Sequence, residues 1–250
     1  MKILKKLLLS MPAIVAANFL CVTQASAMDY FVDAGMSLKQ LDFKAQSSDG
    51  LTDYTLNPFF TMLSVTAGLV ADRFYLTANV ERSLFDTKLN DAVNTGDKDT
   101  LSRSDNSVTF GYYIKNNFSI FAGYLTGDTE DEYSSPSISE TGKISFTENG
   151  PYVGANYLLL FSKGAVSLNF AYAFLNGEYK QTWKNTQGPG QEKYKGDTSG
   201  VSMGAKYVGK WTQHLNYYAG GKINLFNFKS SQFDTQENFY IAQAGVTYKF

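Results

Sequence analysis

From residue 29 onward, apolar side chains recur at every second position. In "YFVDAGMSL" Val32, Ala34, Met36 and Leu38 share one face, and Asp33, Gly35 and Ser37 share the other. A repeat of two marks an extended strand, because successive side chains leave a strand on opposite sides. Nine further segments repeat the pattern, near residues 59–69, 74–81, 107–115, 118–125, 151–161, 165–174, 200–209, 215–225 and 240–250. The last, "YIAQAGVTYKF", runs to the final residue with Tyr240, Ala242, Ala244, Val246, Tyr248 and Phe250 on one face. Such a strand needs a pairing partner, and its apolar face needs core or lipid.

The connections alternate as the side chains do. Segments 2 and 3, 4 and 5, 6 and 7, and 8 and 9 are joined by "ADR", "KNN", "SKG" and "GKWTQ". The other joints are mostly longer and polar, near 46–57, 88–104, 127–149, 176–198 and 229–236. Tight turns at one end and long loops at the other is the asymmetry of a transmembrane β-barrel. Segments of about ten alternating residues match a tilted strand crossing the hydrocarbon. Both termini fall on the tight-turn side, which requires an even strand number. The sequence therefore predicts an all-β fold, a closed antiparallel transmembrane β-barrel of ten strands, with eight or twelve as the neighbouring solutions. In a soluble barrel the outward face carries charge. Here the face opposite the apolar one is Gly, Ser, Thr, Asn and Tyr, which suits a crowded, hydrated lumen. Phe74, Phe118, Phe161, Tyr217, Tyr248 and Phe250 stand near the tight turns, where a membrane interface favours aromatics.

The start of the chain indicates export. Lys2, Lys5 and Lys6 precede an apolar stretch through Val22, followed by Ala25-Ser26-Ala27. That order of basic, apolar and small residues is a secretory signal peptide over 1–27, which leaves a barrel domain over 28–250. The chain's single cysteine, Cys21, lies inside the leader, so disulfides contribute nothing to the mature domain. The formal net charge of −1 becomes more negative once the leader's lysines are removed, and it gives no footprint for nucleic acid. No later stretch is long and apolar enough for a membrane helix, which leaves a closed barrel as the way to span.

The leader, the ten alternating segments and the terminal "VTYKF" together resemble a Gram-negative outer-membrane β-barrel protein. The resemblance covers the whole mature chain and names a class. It implies residence in the outer membrane, a monomer in contact with outer-membrane lipid and lipopolysaccharide, and delivery by the barrel-assembly machinery. In that class, aromatics at alternate positions ending in Phe resemble the assembly signal, which assigns the role to Tyr248 and Phe250.

Candidate chemistry is sparse. His214, the only histidine, follows a tight turn. Ten-stranded barrels include the omptin surface proteases, which group acidic residues and a histidine at the extracellular rim, and His214 falls at the opposite end. The barrel hydrolases of lipid A meet the same objection. The run "GDTEDEYSSPSISETGKISFTENG" lacks the ligand spacing of a calcium loop and reads as a solvated acidic loop. Tyr179, Gln181 and Trp183 extend the seventh strand above the membrane, with Asn185–Gln191 as the tip.

Inside the barrel the alternation points Asp33, Lys39, Glu81, Lys115, Lys206, Lys222 and Lys249 at the lumen. Glu81, Lys206 and Lys222 are its candidate functional charges, with Glu81 and Lys222 facing each other. Asp33 and Lys249 form a candidate closure pair. Tyr75, Tyr113, Phe121, Tyr218 and Phe226 also point inward, which predicts a plugged or very narrow lumen. No catalytic residue, cofactor or metal site is expected. The reading is a non-enzymatic structural or surface-interaction protein acting through its loops. A narrow pore for small solutes is the alternative, and a rim hydrolase a more distant one.

Overall fold

A computed structural model describes residues 28–47, 53–89, 98–136, 139–231 and 233–250. The signal peptide expected over 1–27 lies outside the described residues. Among the described residues twelve strands are present: β1 (Asp29–Ser47), β2 (Asp53–Leu56), β3 (Phe59–Ala71), β4 (Phe74–Ser83), β5 (Thr87–Lys88), β6 (Lys98–Lys115), β7 (Phe118–Ser135), β8 (Glu140–Phe161), β9 (Gly164–Asn185), β10 (Gly188–Lys210), β11 (Leu215–Lys229) and β12 (Phe233–Lys249). β2 and β3 are one wall interrupted at Asn57-Pro58, where proline has no N–H to give the ladder. β5 continues β4 in the same way, pairing with β6 above Leu84–Asp86. The wall count is therefore ten, as the alternation predicts.

Each wall pairs antiparallel with the next, and β12 pairs with β1 from Phe31↔Lys249 up to Ser47↔Phe233. The sheet is closed, so the terminal strand has partners on both sides and leaves no edge in lipid. The tight turns are as expected. Asp72 takes a left-handed φ of 52° in the β3–β4 turn, a conformation aspartate tolerates better than most residues. A register shift between Tyr113 and Lys115 turns Lys115 out to solvent, so it does not join the lumen as simple alternation predicts.

The outward face over the lower part of every long wall is apolar. Met36, Leu38, Phe110, Phe170 and Met203 are all exposed and form a belt around the barrel. Exposed apolar surface on this scale marks contact with a nonaqueous phase. The expected aromatics lie on this wall: Phe74, Phe161, Tyr217, Tyr248 and Phe250 are exposed near the tight-turn end.

Above the belt the strands continue and the two faces exchange character. On β1 the outward row passes from Leu38 to Gln40 and Asp42, while Leu41 turns inward and is buried. On β11 it passes from Ile223 to Asn227, and Phe226 and Phe228 are buried inside. On β9, Phe174 is exposed and the next residue, Leu175, is buried. Two regions read as loops are accordingly paired strand. Residues 127–149 belong to the β7–β8 hairpin, paired up to Ser135↔Glu140. Residues 176–198 belong to the β9–β10 hairpin, paired up to Asn185↔Gly188, so the tip is only Thr186-Gln187 and Gly188, Pro189 and Gly190 lie in a strand. The physical reason is that a ladder leaving the membrane keeps its backbone pairs if an inner face can still be buried.

Candidate functional site in the lumen and crown

The lumen is layered. At the tight-turn end, periplasmic in barrels of this kind, buried Phe31, Val70 and Tyr75 pack with Tyr113 and Phe121 as a floor. Tyr75 and Tyr113 are tilted rings 5.2 Å apart. Above them is a polar chamber of about 310 Å³, lined in part by Asp33, Asn79, Lys206, Lys222 and Asn224.

A layer of charge closes the chamber. Lys39 is buried and ion-pairs with both Glu81 and Asp105, the latter at 2.6 Å. The Ser37 hydroxyl donates to Glu81 as well. Arg103 pairs with Asp105 at 3.0 Å and lies 3.7 Å from Glu237, and its Nη1 donates to Thr129 Oγ1 at 2.7 Å. The guanidinium also sits 4.2 Å from the centre of the Phe239 ring, a cation–π contact. Glu148, buried, meets Glu237 beside it. Ion pairs this deep are costly to break, because a lone partner is left as an uncompensated charge.

An apolar core continues from this layer into the long-loop end. Leu41, Phe60, Met62, Leu101, Leu175, Phe226 and Phe239 form one buried cluster, and Phe146 meets Phe228 edge-on at 5.3 Å.

The sequence-selected residues fall within this frame. Glu81, Lys206 and Lys222 all line the chamber. Glu81 is held by Lys39 on β1; Lys222 lies opposite Gly204 on β10. Lys206 sits 4.6 Å from the Tyr218 ring centre. Asp33 is opposite Thr247, and Lys249 is opposite Phe31, so the register offsets the Asp33–Lys249 pair by one inward step. Lys206 is the cation acting on Asp33. Tyr248 and Phe250 meet edge-on at 5.1 Å on the outer wall. The Phe250 N–H donates to the Tyr30 carbonyl at 3.0 Å, tying the last residue to the first strand. His214 is at the tight-turn end, its Nδ1 3.0 Å from the Lys249 carbonyl and its ring stacked on Tyr248. Sequence reasoning did not single out Arg103, Asp105 and Glu237, and it placed Glu148 in a solvated acidic loop, whereas the side chain is buried. The usable signal was alternation itself: carried past the membrane edge, it places each of the four inside.

Above the core, β6 to β10 rise as a tall wall, and β10 pairs with β11 only from Asp197↔Lys229 downward. The acidic run is divided by alternation. Glu130 and Glu132 face outward with Lys143, at 2.7 and 3.7 Å. Asp131 faces inward beside Asp99 of β6, and burial together with the Asp99 carboxylate pushes its pKa up to about 8. Tyr133 donates to Glu140 at 3.1 Å, and Tyr179 donates to Gln181 at 2.9 Å. On the outer face Lys193 pairs with Glu178 at 2.6 Å, holding that carboxyl below its usual range.

No family model matches the chain, and no curated protein matches it. Solved structures do. The outer membrane protease OmpT from Escherichia coli matches with a TM-score of 0.66 at 13% identity, over 89% of this chain and 96% of that one. The Pseudomonas putida toluene transporter TodX matches at 0.39 and 10% identity, over 88% and 90%. The Yersinia pestis attachment invasion locus protein Ail matches at 0.35 and 10% identity, over 88% and 98%. At these identities the likeness concerns fold. The closed ten-walled topology, the apolar belt and the fold shared with OmpT make the chain a β-barrel of the outer-membrane type. A shared fold does not fix a function, so the role rests on this chain's own residues.

Proposed function

We propose that the protein is a monomeric surface-interaction protein that works through its extracellular crown, without enzymatic activity and with a lumen closed to solute flow. The carrying observation is the stack of charge layer and apolar core, from Lys39, Glu81 and Arg103 up through Phe60, Phe228 and Phe239, which fills the barrel where a conduit would need water. A structured, solvent-facing crown on a rigid scaffold is where recognition residues are commonly placed. His214 lies at the far end from that crown, so the rim lacks its histidine base. The apolar belt would carry the contact with outer-membrane lipid, and the crown above it the contact with lipopolysaccharide. The leader over 1–27 directs export, and Tyr248 with Phe250 serves the assembly machinery.

A narrow pore is the second reading, favoured by one feature: the polar chamber carries Lys206 and Lys222 on its wall. Single-channel recording on the refolded protein in a planar bilayer separates the two. The expected record is silent. Stable conductance steps that shift with Glu81→Gln or Lys222→Gln would overturn the closed-lumen reading.

A further inference from the structure

The tall wall of β6–β10 keeps its lysines on one face, where Glu130, Glu132 and Glu178 pair with some of them. Alternation puts Lys98, Lys143, Lys180, Lys184, Lys193 and Lys195 on its outer face. The inner face carries Asp99, Asp131, Glu140 and Glu192, interleaved with Tyr133, Tyr179, Trp183 and Tyr194. Two of these rings lie over cross-strand glycines. Tyr133 is opposite Gly142 and occupies the space a Cβ there would need, 2.3 Å from it; Trp183 covers Gly190 in the same way, also at 2.3 Å. A ring laid over glycine turns its second face to the crown interior. Tyr179 and Tyr194 stack at 6.0 Å two inward steps lower.

We infer that this inner face binds a basic, extended peptide, with lysine or arginine side chains seated between the aromatic faces and the carboxylates. Charge complementarity supports a cation, because this face presents carboxylates and aromatic rings and its lysines are all on the other side. Aromatic faces attract ammonium and guanidinium groups through the ring quadrupole. Asp99 and Asp131 lie side by side on this face and share a hydrogen bond, so the pair presents one negative charge, to which Glu140 and Glu192 add two more. The strand geometry supports a peptide over a small amine. Among the described residues, β10 from Gly188 to Gly196 pairs with β9 alone, so its second edge offers backbone groups to an added strand beside the acidic face. This inference rests on the surface-interaction reading above and names its ligand class.

The test uses the full mature chain refolded in detergent micelles and fluorescein-labelled hexaarginine, followed by anisotropy at 150 mM salt. Saturable binding is expected, weakened at least tenfold by Glu140→Gln with Glu192→Gln. The outer-face pair Lys180→Gln with Lys193→Gln should leave it within about twofold, since screening confines the effect of distant charges. In a Trp211→Phe background Trp183 is the remaining tryptophan, and its emission should shift on binding. Heat-modifiable gel mobility checks that every variant is a folded barrel. Absence of saturable binding, or equal binding by the inner-face double variant, would overturn the inference. So would maltohexaose shifting Trp183 emission where hexaarginine does not, which would make the face a saccharide platform. A silent bilayer with no peptide binding removes this inference and leaves the surface reading standing. Conductance steps would remove the surface reading itself.

Discussion

On β12, Tyr240, Ala242, Ala244 and Val246 face out, and Gly245 and Thr247 face in. Nearer the crown on the same strand, Phe239 is buried inside, and Asn238, Gln236 and Asp234 face out. The two halves of the barrel share strands, register and backbone ladder, yet follow opposite burial rules. Within the belt the outside meets hydrocarbon, so apolar groups point outward and polar ones line a wet chamber. Above it the outside meets water, so the same wall acts as a soluble barrel with an inner core. The solvent on the outer side decides which parity carries the apolar residues, and the hydrophobic phase slips by one residue at the boundary. This slip gives the protein both a membrane anchor and a rigid crown, and it also fills the lumen.

The comparison can be broken at several points. The largest effect is expected in the upper core. Phe239→Ala should cost about 3–5 kcal/mol of unfolding free energy, as for large-to-small changes in packed interiors, read by urea titration in lipid bilayers. A cost below about 1 kcal/mol would mean that the crown interior is not packed. Next comes one outward row read at two heights. Ala244→Arg, at mid-belt, should cost about 2–4 kcal/mol, and Asn238→Arg close to zero. Equal costs at the two positions would remove the boundary between them.

A smaller effect concerns the crown alone. Asp131 holds its proton to about pH 8 in the folded wall and releases it near pH 4 when the strand end unpairs. Its contribution is therefore fully present at low pH and is lost as pH rises toward 8. Hydrogen exchange at the β6–β7 ends, corrected for intrinsic rate, should be faster at pH 9 than at pH 6, and Asp99→Asn should shrink the difference. An unchanged difference in the variant would remove the carboxyl pair as its cause.

Much of this was legible in the sequence. Period-two alternation and unequal connections yield ten walls, the closure of β12 on β1 and the outward belt. Residues 127–149 and 176–198 were harder, because a polar outward row such as Asp128, Glu130 and Glu132 reads as loop when apolar residues are expected only on the outside. The inner row of the same region, Phe146, Ile144 and Tyr133, carries the strand signal, one residue out of phase with Val153 and Tyr157 below it. The charge layer was half visible. Lys39 and Glu81 lie within the belt's alternation, whereas Arg103, Asp105, Glu148 and Glu237 lie just above it, and only the fold brings them to one level.

Spin labels along β12 test the phase slip most directly. The only cysteine in the sequence is Cys21, so in a chain expressed from residue 28 single cysteines can be placed at each position from 234 to 248 and labelled. In lipid bilayers, even positions from 248 up to 240 should be accessible to oxygen and shielded from a water-soluble nickel complex. Positions 238, 236 and 234 should show the reverse, and 239 should be shielded from both. Oxygen accessibility continuing along the even positions to 234 would contradict the account.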